Sequence, residues 1–298
     1  MFFCMDSSTI PNISVIISNY NNACYLHECL DSVFSQKGVT FECTVVDDCS
    51  TDQSVYGIFD EYKVKYPNQF RLIRHEKNMG CGQARQDGLR ASTGDYIIFL
   101  DSDDYWTHDH YLKTLYDLAI TSGSDLVRSG WICCDEELYE YRSGTITDLQ
   151  KRIDVLWTQH QLSLVSVLFK RSLWDDMDYC TRPYIEDTPS YAAALLKANA
   201  ITYTDSDCGY YYRLNPNSVT HTSNTLKKNL FGCLACLDMI DECEKYGVRL
   251  VGKISNELYR GNVLATFHCN CLLKGWTRES FAPYEKYYDE LMERSKPK

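Results

Sequence analysis

Three acidic side chains stand within four residues at Asp101-Ser102-Asp103-Asp104, directly after the apolar run YIIFL. Carboxylates this close repel one another unless a cation or hydrogen-bond donors compensate them. Oxygen ligands of this kind suit Mg²⁺ or Mn²⁺, and a diphosphate can complete the coordination of either ion. An acidic turn that caps the next helix is the alternative. We favour the metal site because two other polar clusters also follow apolar runs.

The first of these other clusters is Asn19-Tyr20 and the second is Asp47-Asp48. A carboxylate at Asp48 can accept a hydrogen bond from the N–H of a uracil-like base, and Tyr20 can stack on such a base. The alternative for Asp47-Asp48 is an Asx-turn, in which the side chain binds its own backbone. The residue types therefore predict a nucleoside pocket beside the acidic turn.

Two further positions carry charges that could serve a transfer reaction. Gly80, Gly82 and Arg85 begin a predicted helix, where amide groups and a guanidinium could meet a phosphate; a simple surface arginine is an equal alternative. Asp187 precedes Thr188-Pro189, which is a helix start signal. Its carboxylate could cap that helix, act as a general base, or do both.

The elements that must position these residues alternate between strand and helix over the first hundred residues. The apolar patterns predict strands at 13–18, 41–46, 70–75 and 96–100, with helices over 26–34, 54–65 and 83–91 between them. This alternation predicts a doubly wound, mostly parallel α/β sheet. Right-handed crossovers place the polar clusters at one edge of it, where ligands of such sheets bind.

The second half of the chain has a weaker pattern. It predicts strands at 164–169 and 209–213, a helix at 190–199, and a helical region from about residue 225. An apolar stripe on that region could dock on a membrane, but packing on its own domain is the commoner use of such a stripe. The stripe comprises Leu226, Leu230, Phe231, Leu234 and Leu237.

Composition excludes several classes of protein. The chain has 298 residues, 44% of them hydrophobic, and its net charge of −11 disfavours a nucleic-acid partner.

No apolar run reaches the ~20 residues of a membrane span, and the opening MFFCMDSSTIP lacks a secretion signal. We therefore expect a cytoplasmic protein, with peripheral membrane contact left open, and read its 15 cysteines as reduced. The spacing of the cysteine pairs is not that of a zinc finger, which favours cysteines packed in the protein interior over a zinc site. The pairs are Cys233 with Cys236 and Cys269 with Cys271.

Four motifs occur in order over about residues 12 to 110. They are contained in SVIISNYNNACYLHECLDSVFSQ, VVDDCSTDQS and NMGCGQARQDGLRASTGDYIIFLDSDD. Together they resemble the inverting glycosyltransferases of family 2, which have a GT-A fold. The likeness continues in LFKRSLW, Ile185-Glu186-Asp187 and YYYRLNPNSVTH, which resemble the acceptor half of bacterial members that build surface glycans.

The resemblance implies a role for each matching residue. Asp187 matches the catalytic base, with Glu186 as the next candidate, and Arg213 and Ser218 match a segment near the diphosphate. The implied nucleotide-binding residues are Ser18, Asn19, Tyr20, Asp48, Arg85, Asp101 and Ser102, and the implied metal ligands are Asp101, Asp103 and Asp104. Cys49 departs from the family pattern because glycine is common there, and Gln86 replaces a common asparagine.

These observations predict a metal-dependent enzyme that uses Mn²⁺ or Mg²⁺ and moves a sugar, with inversion, from a UDP-sugar to a hydroxyl of a glycan or lipid-linked glycan. We expect a GT-A domain at 12–220, with a nucleotide-sugar half at 12–110 and an acceptor half at 111–220, and a C-terminal helical region at 221–298. One alternative is a sugar-1-phosphate nucleotidyltransferase, which needs a glycine-rich, lysine-containing loop where this chain has Asn19-Tyr20-Asn21-Asn22. The other is a nucleotide-sugar-binding protein without turnover.

Overall fold

The computed structural model describes most of the first 218 residues and a few positions beyond them. The described residues are 10–133, 136–138, 144–149, 151–152, 163–177, 179, 186–204, 209–218, 241, 244–246, 290 and 293. The predicted helical region from residue 225, with its apolar stripe and its cysteine pairs, therefore lies almost wholly outside the described residues. Within the described parts, no helix is both long and apolar enough to cross a membrane.

The first hundred residues fold as the sequence predicts. All seven predicted elements are present, and each predicted strand end lies within two residues of the observed one. The elements are β1 (Ile13–Asn19), α1 (Ala23–Phe34), β2 (Phe41–Asp47), α2 (Ser54–Lys65), β3 (Phe70–Arg74), α3 (Cys81–Ala91) and β4 (Tyr96–Asp101).

The second half contains more elements than the sequence predicts. The predicted strands at 164–169 and 209–213 and the predicted helix at 190–199 are confirmed as β10, β12 and α5, with shifted ends. The elements are β5 (Tyr105–Trp106), α4 (Tyr111–Ser122), β6 (Leu126–Ser129), β7 (Trp131–Cys133), β8 (Glu136–Leu138), β9 (Gly144–Ile146), β10 (Val167–Lys170), a short 3-10 helix (Arg171–Leu173), α5 (Asp187–Lys197), β11 (Ile201–Thr204) and β12 (Tyr210–Tyr212).

The central sheet has eight strands in the order β3-β2-β1-β4-β10-β6-β11-β9. The first four are parallel, β10 enters antiparallel between β4 and β6, and β6 is parallel to β11. The predicted α/β class with a mostly parallel sheet is confirmed. A smaller sheet, in the order β5-β12-β7-β8, is formed by four strands that all follow β4 in the chain.

Helices cover both faces of the central sheet, so its strands are apolar on both sides, as buried parallel strands must be. Val15 and Ile17 of β1 belong to the core formed with α1, α2 and α4. Ile16, between them, belongs to the opposite core, formed with α3 and α5. At Gly88 of α3 an added Cβ would lie 2.5 Å from Cγ2 of Ile16, so glycine allows α3 to approach the sheet closely. This approach places the start of α3 beside the carboxyl ends of the strands.

Candidate active site

The carboxyl ends of β1, β2 and β4 lie side by side, with β1 in the middle. Asn19 is paired in register with Asp47, and Ser18 with Asp101. The strand order reverses at β1, since β4 follows β3 in the chain but lies on the other side of β1. Such a switch point is where open α/β sheets form their ligand crevice. The polar clusters are thus brought together as the sequence predicts.

Asn19 is buried and organises the turn after β2. Its Nδ2 donates to Asp47 Oδ1 at 2.9 Å and to Ser50 Oγ at 3.3 Å. The Ser50 hydroxyl in turn donates to Asp47 Oδ1 at 2.5 Å. These contacts shape the pocket wall, whereas Tyr20, 44% exposed, presents its ring at the surface. Stacking of that ring on a base stays a prediction.

Cys49 adopts the backbone conformation that usually requires glycine. Its φ is +63°, in the left-handed region, where a side chain is strained. Cysteine, which stands here where glycine is common in the family, therefore occupies a strained backbone position. The Cys49 thiol donates to the carbonyl oxygen of Glu76 at 3.5 Å.

Asp48 is buried and held by donors from the segment that leads into α3. Its Oδ1 accepts from Nδ1 of His75 at 2.6 Å and from the backbone N–H of Met79 at 2.7 Å. Its Oδ2 accepts from the backbone N–H of Gly80 at 2.7 Å. Gly80 has a φ of +89°, so a residue without a side chain suits this contact. Asp48 is thus a fixed acceptor at the predicted nucleoside pocket.

The acidic turn after β4 contains two carboxylates in different surroundings. Oδ1 of Asp104 accepts from the backbone N–H of Arg213 at 2.8 Å, and Oδ2 accepts from the Tyr210 hydroxyl at 2.6 Å. Burial, with Asp101 nearby, raises the pKa of Asp104 to about 8. Asp103 is half-buried, and Nδ2 of Asn215 donates to its Oδ2 at 2.8 Å. Burial and the charge of Asp101 raise the pKa of Asp103 as well.

The guanidinium of Arg85 lies among three carboxylates from two parts of the chain. Its Nη2 donates to Asp101 Oδ1 at 2.6 Å, and its Nη1 donates to Glu186 Oε1 at 2.8 Å and to Asp187 Oδ1. Arg85 is 5% exposed, so the surface-arginine alternative is wrong. Its hydrogen bonds go to carboxylates, and a contact with a phosphate stays a prediction. Arg85 therefore joins the acidic turn to the start of α5.

Glu186 and Asp187 form the predicted pair of candidate bases at the start of α5. Burial and the charge of Asp187 raise the pKa of Glu186 to about 7. Burial also raises the pKa of Asp187, with Arg85 opposing this and Asp101 adding to it. The Tyr179 hydroxyl donates to Asp187 Oδ1 at 2.8 Å, while 24% of the Asp187 side chain remains exposed. A carboxylate with a raised pKa is a stronger proton acceptor once it is ionised.

The acidic turn offers oxygen donors of the kind that Mg²⁺ and Mn²⁺ bind, and in this respect its residues fit such an ion. Burial raises the pKa of Asp103, and the charge of Asp101 adds to this effect; a cation at the turn would offset that charge. Among the described residues, no three acidic, histidine or cysteine side chains already surround one point as a complete metal site. Since both oxygens of Asp104 have donors, Asp103 is the better-placed ligand, and a share for Asp104 stays a prediction.

The other predicted site residues have structural contacts. Ser18 Oγ lies 3.1 Å from the Cys81 sulfur, and Ser102 Oγ accepts from Asn22 Nδ2 at 2.9 Å. Arg213 Nε donates to the carbonyl oxygen of Asp103 at 2.9 Å, and its Nη2 donates to Glu28. Arg213 thus holds the acidic turn against α1. Binding of a nucleotide by Ser18 and Ser102 stays a prediction.

Three residues of the site were not predicted from the sequence. His75 contacts Asp48, Tyr179 contacts Asp187 and Asn215 contacts Asp103. His75 directly follows β3, so the rule that selected the polar ends of the other three strands also selects it. Tyr179 and Asn215 lie in segments without a periodic pattern, and nothing in their spacing marks them.

Comparison with known proteins agrees with this architecture. TuaG of Bacillus subtilis, a glycosyltransferase provisionally assigned to teichuronic acid biosynthesis, is 28% identical over 216 residues, covering 70% of this chain and 82% of TuaG. The crystal structure of S. aureus TarS 1–349 in complex with UDP-GlcNAc aligns with a TM-score of 0.71 and 22% identity, covering 95% of this chain and 81% of the chain in that structure.

A third relative is the mannosyltransferase PcManGT from Pyrobaculum calidifontis, solved in complex with GDP-Man and Mn²⁺. It aligns with a TM-score of 0.57 and 14% identity, covering 97% of this chain and 88% of that one. These two structural likenesses show a shared GT-A fold. The sequence profile described as "Glycosyl transferase family 2" matches residues 14–175, which is more than half of the 298 residues, and the chain belongs to this family.

Proposed function

We propose that this enzyme transfers a sugar from a UDP-sugar to an acceptor hydroxyl, with inversion at the anomeric carbon. One observation carries the proposal: Asp101, at the donor side, and Asp187, the candidate base, bind the same guanidinium of Arg85. A base and a donor-binding carboxylate that share one partner lie close enough to act on one substrate pair. The TarS complex with UDP-GlcNAc supports a UDP-sugar as donor.

In this reaction Asp187 accepts the proton of the acceptor hydroxyl while the hydroxyl oxygen attacks the anomeric carbon from the face opposite the diphosphate. A single displacement of this kind inverts the configuration and needs no nucleophile from the enzyme. Arg85 and Tyr179 both donate to Oδ1 of Asp187, which orients the carboxylate. Glu186 is the second candidate for the base.

Asp103 and Asp101 would hold a Mn²⁺ or Mg²⁺ ion at the acidic turn, together with oxygens of the diphosphate. When bound, the cation neutralises charge on the departing diphosphate. Asn215 and Arg213 keep the turn in place for this role, through Asp103 Oδ2 and the Asp103 carbonyl oxygen. PcManGT, whose structure contains Mn²⁺, supports the same choice of ion.

The proposal also covers the acceptor, the division of the chain into domains and the location in the cell. The name of TuaG supports a bacterial surface polysaccharide or a lipid-linked glycan as acceptor. We keep the division into a GT-A domain at 12–220, with halves at 12–110 and 111–220, and a C-terminal region at 221–298. A cytoplasmic location with peripheral membrane contact also remains part of the proposal.

Two asparagine variants test the proposal by separating donor binding from transfer. Asp187→Asn keeps the side-chain shape but cannot accept a proton, so turnover should fall by about 10²–10⁴-fold while UDP affinity is retained. Asp103→Asn should lower UDP affinity in the presence of Mn²⁺ together with turnover. Asp60→Asn, at an exposed position of α2, is the matched control and should change neither quantity.

UDP binding is measured by calorimetry with Mn²⁺ and with EDTA, and turnover by release of UDP from a panel of UDP-sugars. Near-normal turnover of a folded Asp187→Asn variant would assign the base elsewhere, with Glu186 next. Equal UDP affinity with Mn²⁺ and with EDTA would refute the metal assignment. Binding without UDP release for every sugar and acceptor would favour a nucleotide-sugar-binding protein, and formation of a nucleotide sugar from a triphosphate would favour a nucleotidyltransferase.

A further inference from the structure

The ring of His75 lies between two carboxylates beside the predicted nucleoside pocket. Its Nδ1 is 2.6 Å from Asp48 Oδ1, and its Nε2 is 3.2 Å from Asp87 Oδ2 on α3. The side chain is 7% exposed, so solvent has little access to either contact. The backbone N–H of His75 donates to the carbonyl oxygen of Asp47 at 2.9 Å, which fixes the residue against the end of β2.

The neighbours of the ring hold it in one orientation. A carboxylate accepts a hydrogen bond from a ring N–H, so Nδ1 of His75 donates to Asp48 Oδ1. On the other side of the ring, Gln83 donates to Asp87 Oδ2 at 3.0 Å and Arg90 Nη1 lies 3.8 Å from Asp87 Oδ1. These two donors fix Asp87, which in turn holds the ring against Asp48.

The donors around Asp48 leave room for one more hydrogen bond. A carboxylate has about four lone-pair positions, and the described residues fill three of them: two on Oδ1, from His75 and Met79, and one on Oδ2, from Gly80. The remaining position is on Oδ2. It is fixed in direction because the three donors, two of them backbone amides, hold the carboxylate.

We propose that His75 is a positioning and specificity residue for the nucleobase: its ring, held by Asp87, donates to Asp48 Oδ1 and aims the remaining Oδ2 lone pair at the base. This rests on the proposed function, in which Asp48 binds uracil. The N3–H of uracil donates to that lone pair, whereas N3 of cytosine is an acceptor and is repelled by it. Without the ring the carboxylate loses one of its three donors and can turn, which weakens the discrimination.

The experiment compares binding of UDP and CDP to the full chain, by calorimetry in Mn²⁺ buffer at pH 7. The two nucleotides carry the same diphosphate, so the ratio of their affinities reports the base alone. For the unaltered protein the ratio should favour UDP. His75→Ala should lower the ratio about tenfold and should leave pyrophosphate binding unchanged.

His75→Asn supplies the readout that a purely structural role would not give. The asparagine amide can replace Nδ1 as a donor to Asp48, so this variant should recover the preference for UDP that His75→Ala loses. His27→Asn is the matched control, because His27 is an exposed histidine on α1, and it should behave as the unaltered protein.

The Asp48→Asn variant separates the binding of the base by Asp48 from the positioning of Asp48 by His75. If this variant keeps the UDP to CDP ratio of the unaltered protein, Asp48 does not bind the base and the proposed function loses its base contact. If Asp48→Asn lowers the ratio while His75→Ala keeps it, the role of His75 is overturned and that of Asp48 stands. Should His75→Ala not fold, a folded His75→Asn variant that lacks the preference for UDP overturns the inference.

Discussion

Replacement of Glu186 by glutamine should stabilise the folded protein, and more so at high pH. Burial and the charge of Asp187 raise the pKa of Glu186 from 4.5 to about 7. For a carboxyl whose pKa is higher in the folded state than in the unfolded chain, the folded state binds more protons between these values. Its contribution to stability is therefore present below pH 4.5 and is lost as pH rises through 7.

The magnitude follows from the same two values. Each pKa unit corresponds to about 1.4 kcal/mol, so ionising Glu186 in the folded state costs about 3 kcal/mol above pH 7. Glutamine has no charge to bury and can still accept the hydrogen bond that Arg85 Nη1 donates to Glu186 Oε1 at 2.8 Å. We expect the variant and the unaltered protein to differ little at pH 5, and the variant to be more stable by about 3 kcal/mol at pH 8.

The assay is urea unfolding at pH 5 and at pH 8, without nucleotide or divalent cation. Glu61→Gln is the matched control, since Glu61 is 53% exposed on α2, and its stability difference should be small at both pH values. The decisive quantity is the change in the Glu186→Gln difference between the two pH values. A difference that is the same at pH 5 and pH 8 would refute the account of Glu186 as a buried, repelled carboxyl.

Three other substitutions test how the site is built, each by urea unfolding. Arg85→Met leaves three carboxylates without their shared partner and should cost about 3–5 kcal/mol at pH 8. The loss should be smaller at pH 5, where Glu186, whose pKa is about 7, can take up a proton, and an equal loss at both pH values would contradict this. Gly88→Ala places a Cβ 2.5 Å from Cγ2 of Ile16 and should cost about 1–3 kcal/mol, whereas a neutral result would mean that α3 shifts freely. Cys49→Val should cost about 1–2 kcal/mol and Cys49→Gly should not, because φ is +63° there; equal stability of the two variants would argue against strain.

The first half of the fold is predictable because the hydrophobic periodicity of each segment matches the strand or helix that it forms in the folded protein. Its strands are five to seven residues long and its helices eleven or twelve, which is long enough for a period to be recognised. Strands β7, β8 and β9 have three residues each, and β5 has two. A segment that short has no readable period, so its place is set by its partners in the sheet.

Residue type and position at a strand end predict which residues belong to the candidate site. They do not predict which of these residues are buried. The sequence places Asp48 and Asp103 at one edge of the sheet, and both lie there in the structure. Asp187 follows no predicted strand, and its hydrogen bond from Arg85 brings it to the same edge. The sequence does not indicate that Arg85 is buried, because its partners at 186 and 187 lie about a hundred residues away in the chain. Nor does it indicate that both oxygens of Asp104 are bound by β12 and the residue after it. Contacts of this range arise from the tertiary fold.

The negative charge around Arg85 links the ionisation of Asp187, the candidate base, to the predicted donor site at Asp101. One guanidinium faces three carboxylates, and Asp103 adds a further acid nearby, so the cleft remains acidic. The charge of Asp101 is among the causes that raise the pKa of Asp187. A cation held by Asp101 and Asp103 in the proposed enzyme would offset this charge and lower the pKa of Asp187. In the proposed reaction, binding of the cation at the donor site would therefore favour the ionised form of Asp187, the candidate base.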